Sequence, residues 1–467
     1  MARLFISAAH KSSGKTTLSI GLCAAWQAQG LRVQPFKKGP DYIDPLWLTA
    51  ASQRSCHNLD FNTMSSPEML QTVQHYGQSA DLSLIEANKG LYDGMALDGS
   101  DSNAALAKLT QSPVILVIDT RGMTRGIVPL LVGHLAFDRE VQIAGVIFNR
   151  VGGSRHAAKM RQAVEYFTDV PVLGSVQENR EMGIEERHLG LMPSNERADA
   201  DRQIARIRDL VAEQVDLAAL VQVAQSASPV FPSSGEGVFL PYSGLGRRVP
   251  LRIGICQDAA FGFYYPGDLE ALQQAGAELV AVNTLHDACL PALDGLFIGG
   301  GFPETQMQAL AANRSMRASI RAAIEAGLPT YAECGGLMYL SRSLIWKGER
   351  AEMVGVIPGD AVMYPKPQGR GYVQLQETAA MPWMGGQPEQ TVKAHEFHYS
   401  RLENLTTQGT FAYRVQRGTG IDGEHDGWVY KNLLASYTHL RNTAQYPWAQ
   451  RFVEFVRTHS QERKLAA

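Results

Sequence analysis

The sequence predicts a two-domain α/β protein, and three observations predict it. Its 467 residues exceed the size at which a single hydrophobic core usually stops growing. Short apolar runs alternate with longer helical patterns, the rhythm of βαβ units with helices on both faces of a parallel sheet. A Pro-, Ser- and Gly-rich stretch, "SASPVFPSSGEGVFLPYSGLGRR" at 226–248, breaks that rhythm as an interdomain connection does. The expected domains are therefore 1–225 and 249–467, with 226–248 as linker.

In chain order, "RLFISA", "RVQPF", "LSLIEA", "PVILVID", "IAGVIFN" and "VPVLGSV" read as the buried strands of the first domain. After the linker, "LRIGICQD", "AELVAVN", "GLFIGGG" and "PTYAECGG" read as strands of the second, again with helical stretches between. The chain shows no fixed-period repeat. Its 43 basic and 46 acidic residues leave a net charge of -3 without a dense Lys/Arg run, so nucleic acid is not an expected partner. The start "MARLFISAAHKSSGK" has too short an apolar run for a signal peptide, and no run reaches membrane-span length, so a cytoplasmic protein is expected. A homodimer is the expected assembly. The five cysteines, Cys23, Cys56, Cys256, Cys289 and Cys334, lie too far apart for a CxxC zinc site or a disulfide scaffold.

"FISAAHKSSGKTTLSIGL" joins the first strand to a helix and ends in the residues of a phosphate-binding loop: Ser13, Gly14, Lys15, Thr16 and Thr17. Backbone N–H groups at that helix start attract anions, Lys15 reaches terminal phosphates, and the Thr16 hydroxyl is a ligand for Mg²⁺. Ala9 departs from the usual first glycine. The plainer reading is a capped helix with a solvated lysine; the position after the first strand favours nucleotide, with ATP preferred over GTP because no guanine-reading motif is visible. Carboxylates converge on such a loop from other strand ends. "PFKKGPDYID" supplies Asp41 and Asp44, and "IEANKGLYDG" supplies Glu86 and Asp93. Thr16, Asp41 and Glu86 are the expected Mg²⁺ ligands, a hard-oxygen set. Asp41 and Asp93 also suit simple turns, whereas Glu86 directly ends an apolar strand.

In the second domain, "YAECGGLMYL" sets Cys334 between a strand-like run and a helical one, the elbow arrangement that exposes a nucleophile. A buried structural thiol is the competing reading. "GLFIGGGFPE" ends a strand in three glycines whose N–H groups can approach a reacting carbonyl. Of the 12 histidines, His439 in "LLASYTHLR" and His395 and His398 in "AHEFHYS" are candidate bases, and spacing alone does not choose among them.

Taken together, "VQPFKKGPDYID", "GLYDG", "DAAFGFYYPGDLEAL", "GGGFPE", "ECGGLMYL", "HEFHYSRL" and "ASYTHLR" appear in the order of the glutamine-dependent cobyrinate a,c-diamide synthase family, which the chain resembles over nearly its whole length. The resemblance implies a P-loop ATPase domain similar to dethiobiotin synthetase joined to a class I glutaminase. It makes Cys334 the nucleophile, His439 its base, and Gly300 and Gly301 the oxyanion donors. It places Asp41, Tyr42, Asp44 and Asp93 by the substrate and acyl phosphate, and Asn149 as a reader of adenine. His395 and His398 become structural or interdomain residues. Many class I glutaminases carry Glu two residues after the histidine; here that position is Arg441, so what orients His439 is open. The implied reaction uses ATP, Mg²⁺ and L-glutamine to amidate a tetrapyrrole carboxylate through an acyl phosphate. Cobyrinate or hydrogenobyrinate is the first expectation. Sirohaem is the alternative, because "AAHKSSGKT" and "EANKGLYDG" depart from the glycine-rich loop and "EGVMGLYDG" usual in the cobalamin enzymes. Two other classes are weighed against this: a ParA-like assembly ATPase leaves Cys334 and His439 unused, and a cysteine hydrolase leaves the phosphate loop idle.

Overall fold

The structure is a computed structural model and describes residues 1–187, 190–197, 199–229, 249–386 and 390–466. The chain forms two compact units, Met1–Val238 and Phe239–Ala467. Most of the stretch expected as a linker, 230–248, lies outside the described residues.

The first unit is built on a seven-stranded sheet. Its strands are β1 (Arg3–Ala8), β2 (Val33–Lys38), β3 (His57–Leu59), β4 (Leu82–Glu86), β5 (Val114–Asp119), β6 (Ile143–Val151) and β7 (Val172–Gln177). They lie in the order β3-β2-β4-β1-β5-β6-β7, and all pairs are parallel. Every residue of β1, β2, β4 and β5 is buried, which is why β1, β4 and β5 read as largely apolar runs rather than alternating ones; β2 buries Gln34, Lys37 and Lys38 as well. Each fully buried Leu, Ile or Phe here, such as Leu4, Phe5 and Ile6, contributes about 1.5–3 kcal/mol of transfer free energy. The helix Lys15–Ala28 leaves the end of β1, at the centre of the sheet, and the ends of β2 and β4 lie alongside. Residues at those three strand ends are thereby collected in one place, as in other open α/β sheets.

The second unit departs from the expected rhythm. Its nine-stranded sheet begins with parallel strands, in the order Ala277–Val282, Leu251–Cys256, Gly295–Ile298, Thr330–Glu333 and Leu433–Ser436. It continues antiparallel through His425–Tyr430, Phe411–Arg417, Gly369–Glu377 and Thr391–His398. A further four-stranded sheet holds Glu349–Glu352, Ser341–Trp346, Ile357–Met363 and Ser400–Glu403. The chain thus leaves the parallel core after Thr330–Glu333, builds mostly antiparallel structure over about a hundred residues, and returns in Leu433–Ser436 beside the strand it left. That return brings the segment after Ser436 against the segment after Glu333. Among the described residues, no helix is long and apolar enough to cross a membrane.

Candidate active site

Two clusters of chemistry-bearing side chains stand out, one in each unit. In the first, Gly14 adopts φ 87° at the start of the helix Lys15–Ala28, and a Cβ there would stand 2.1 Å from Asn149 Nδ2. Only glycine lets the loop close on β6 in this way. Asn149 Nδ2 donates to the Ser13 carbonyl at 2.8 Å, and Arg150 Nη1 donates to the Ser12 carbonyl at 2.9 Å and to Asp119 Oδ2 at 2.7 Å. The structure therefore places Asn149, expected at adenine, on the loop itself. Ser13 and Lys15 are buried.

Thr16 Oγ1 donates to Glu86 Oε1 at 2.8 Å and lies 3.1 Å from Asp44 Oδ2. Lys37, which no sequence motif singles out, drives its ammonium into the same cluster: 2.5 Å from Asp44 Oδ2, 2.7 Å from Glu86 Oε1 and 3.8 Å from Asp41 Oδ2. Burial opposes its charge, but those carboxylates hold its pKa well above the ordinary lysine value. Asp44 is opposed by burial yet held below the ordinary carboxylate range by Lys37. Lys15 is brought down to about 8 by burial and then by the nearby Lys37 charge. Burial and the neighbouring Asp44 carboxylate push Asp41 up to about 7.

Asp44 thus stands with Thr16 and Glu86, whereas Asp41 uses Oδ1 to accept the N–H groups of Ile43 and Asp44 at the start of the helix Ile43–Ser52. Asp93 Oδ2 accepts the Gly90 N–H at 2.9 Å, the turn role open to it from the sequence. Tyr42, between Asp41 and that helix, is buried. The donor set fits Mg²⁺: Glu86 Oε2 is buried without a hydrogen-bond partner beside a hydroxyl and further carboxylates. Among the described residues no three His, Cys, Asp or Glu side chains form a ready cage.

In the second unit Cys334 sits at φ 47°, ψ -98° between the strand Thr330–Glu333 and the helix Gly335–Leu340. Backbone strain of this kind is about 1–3 kcal/mol and persists only where surroundings impose it. Here Cys334 N–H donates to the Ser436 carbonyl at 2.7 Å, and its own carbonyl accepts the Met338 N–H at 3.1 Å. Glycine is required on the far side of the elbow, since a Cβ on Gly336 would lie 2.2 Å from the Ile298 carbonyl oxygen. Burial first, then the carboxylates of Glu304, Glu333 and Asp426, raise the Cys334 thiol far above its ordinary pKa. Such a thiol needs a base at the moment it attacks.

His439 follows the returning strand and is buried; a Cβ on Gly300 would stand 2.6 Å from its Cε1. The Gly300 carbonyl accepts the N–H groups of Gly262 and Phe263, both at 3.1 Å. In a trans peptide the Gly301 N–H must then point the opposite way, and Gly301 N lies 3.1 Å from where a Cβ on Gly335 would be. Gly301 N thus lies beside Gly335, the residue that follows Cys334. His439 Nδ1 is 3.3 Å from Glu333 Oε2, an acid the sequence reading passed over although it ends an apolar strand just as Glu86 does. His395 lies against the same ring, its centroid 5.0 Å away and nearly parallel, and exchanges backbone hydrogen bonds with His439. Burial, with His439 and Arg441 nearby, keeps His395 far below its ordinary pKa, hence neutral. His398 is further along the edge strand, stacked on Tyr437.

A P-loop domain with converging carboxylates and a strained cysteine elbow with a buried histidine define a glutamine amidotransferase fused to an ATPase-type domain. Family models agree: residues 2–186 match an AAA domain, and residues 252–446 match the CobB/CobQ-like glutamine amidotransferase domain. Curated relatives named cobyrinate a,c-diamide synthase include one from Magnetococcus marinus, 46% identical over 97% of this chain and 97% of its own. Another, from Methanosarcina acetivorans, is 40% identical over 97% and 95%, and one from Listeria innocua is 38% identical over 94% and 96%. The chain belongs to the cobyrinate a,c-diamide synthase family.

Proposed function

We propose that this protein uses ATP and glutamine to convert acetate side-chain carboxylates of a modified tetrapyrrole, cobyrinate or hydrogenobyrinate, into amides. The observation that carries the reading is the presence of both clusters in one chain that matches, end to end, relatives named for that reaction. Residues 1–225 act as the synthetase and 249–467 as the glutaminase.

In the first unit a substrate carboxylate oxygen attacks the γ-phosphorus of ATP, ADP leaves, and an acyl phosphate forms; a bare carboxylate is too poor an acceptor for ammonia. Gly14, Lys15, Thr16 and Thr17 hold the phosphates by backbone N–H groups and by charge. Mg²⁺ held by Thr16 and Glu86, with Asp44 or Asp41, supplies neutralisation of phosphate charge. Asp41, Tyr42 and Asp93 border the acceptor. In the second unit the Cys334 sulfur attacks the glutamine side-chain carbonyl while His439 takes the thiol proton. The Gly300–Gly301 segment meets the developing oxyanion. His439 returns the proton as ammonia departs, and water hydrolyses the thioester to glutamate. Ammonia then displaces phosphate from the acyl phosphate.

Sirohaem is the second reading, favoured by the loop departures at His10–Ser13 and Ala87–Lys89. Incubation with ATP, Mg²⁺ and glutamine beside each ring, counting a mass decrease of about one unit per acid-to-amide conversion, tests both. Amidation of cobyrinate or hydrogenobyrinate is expected. Amidation of sirohaem alone moves the substrate, and glutamine hydrolysis without amidation of any of these rings overturns the tetrapyrrole assignment.

A further inference from the structure

We propose that Glu333 is the positioning residue of the glutaminase site, holding His439 in the tautomer and orientation that make Nε2 the base for Cys334. The proposal rests on the glutaminase reading of Cys334 and His439 and adds the acid that reading lacked. Where many related glutaminases place this acid, two residues after the histidine, the chain has Arg441. A guanidinium cannot accept a hydrogen bond from Nδ1–H. Arg441 instead turns towards Asp268, with Nε 3.9 Å from Oδ1, and stacks its guanidinium 4.2 Å from the Tyr265 ring centroid.

Glu333 reaches the imidazole from the other side. The strand Thr330–Glu333 pairs in parallel with Leu433–Ser436, Glu333 opposite Ser436, so the residue before the nucleophile and the histidine three residues beyond Ser436 arrive together. The carboxylate is fixed before it meets the ring. Its Oε1 accepts the Tyr331 hydroxyl at 2.6 Å and the Leu440 N–H at 3.0 Å, which leaves Oε2 facing His439 Nδ1 at 3.3 Å. A carboxylate on Nδ1 assigns the proton to that nitrogen, and Nε2 then carries the lone pair. In the reaction the Sγ proton passes to Nε2 as sulfur bonds the glutamine carbonyl carbon, and the same proton passes to nitrogen as the carbon–nitrogen bond breaks. Glu333 accepts no proton; it stabilises the imidazolium formed between those events, as the acid of a serine-protease triad does. His395, stacked on the same ring, is neutral, and Arg441 lies two residues along the chain from it.

The test compares glutamine hydrolysis by the full chain and by Glu333→Gln, Glu333→Asp and Cys334→Ala. Glu333→Gln is expected to lower kcat on the order of 10²–10⁴-fold with KM nearly unchanged, because its amide can donate to Nδ1 and fix the wrong tautomer. Glu333→Asp should recover part of the rate. Amidation with free ammonia should stay at the wild-type level in both. A folded Glu333→Gln enzyme with kcat within about threefold of wild type overturns the proposal. Hydrolysis surviving in Cys334→Ala would instead sink the glutaminase reading beneath it. A measurement independent of any variant's folding is ¹⁵N NMR of histidine-labelled wild-type enzyme, with the His439 signal assigned by its loss in His439→Gln. The Nδ1–H tautomer is expected, and the Nε2–H tautomer contradicts the role given to Glu333.

Discussion

The two clusters solve opposite electrostatic problems. Around Thr16 the protein gathers buried charge: three carboxylates pair with the Lys37 ammonium, and a second buried lysine, Lys15, stands in their field. Around Cys334 the carboxylates of Glu304, Glu333 and Asp426, together with burial, instead keep the thiol protonated, His395 is neutral, and one carboxylate oxygen reaches the His439 imidazole. The first arrangement suits a polyanionic ligand and its cation, whose arrival redistributes charge already in place. The second suits a nucleophile that ionises only during attack. Charge placement therefore decides the first site, and backbone geometry decides the second.

The largest effect that sharpens this contrast should come from Lys15→Ala. It removes the cation aimed at the phosphates, and amidation should fall on the order of 10²–10³-fold with glutamine and with ammonia alike. Product counting by mass checks it; ammonia-dependent activity at the wild-type level would break the assignment of the phosphate loop. Gly300→Ala tests the geometric site. Its Cβ would fall 2.6 Å from His439 Cε1, so glutamine hydrolysis should drop about 10²-fold while ammonia-dependent amidation holds. Equal loss of both would show that the two sites are not separable in this way.

Stability measurements probe the same contrast more gently. Lys37→Met leaves Asp44 and Glu86 uncompensated, a loss of about 3–5 kcal/mol for a broken buried pair. Added Mg²⁺ should restore the variant's melting temperature more than it raises that of wild type. An equal Mg²⁺ response in both would argue that the ion does not bind at these carboxylates. The effect of Asp268 is confined to a pH window: its pKa is pushed up to about 7 from 3.8 by burial, against the pull of Arg441. Its folded form keeps a proton that the unfolded chain has lost, so its contribution is complete below 3.8 and is lost as pH rises towards about 7. Asp268→Asn should flatten the fall in melting temperature across that window, and an unchanged slope would show that another group governs it.

What the sequence revealed follows the same division. Parallel strands buried on both faces read as largely apolar runs, so six of the seven strands of the first sheet were legible; β3, three residues long, offered no pattern. The antiparallel strands of the second unit were not. "TVKAHEFH" (Thr391–His398) and "FAYRVQR" (Phe411–Arg417) mix Lys, Arg, Glu and His into strands with one face partly exposed, and nothing local marks them. Cys334 and Lys15 stood out because each follows a strand in a recognisable pattern, whereas His439 was separated from His395 and His398 only by the family resemblance. Lys37 and Glu333 were hidden because their roles exist only after distant strands pair. The signal that picked out Glu86, an acid closing an apolar strand, applies equally to Glu333.

The central claim is that one unit makes ammonia and the other spends it on an activated carboxylate. Cys334→Ala measures that most directly, assayed for ring amidation with ATP and Mg²⁺, first with glutamine and then with high free ammonia. Amidation should vanish with glutamine and persist near the wild-type rate with ammonia. Equal loss with both nitrogen sources would contradict the division of labour.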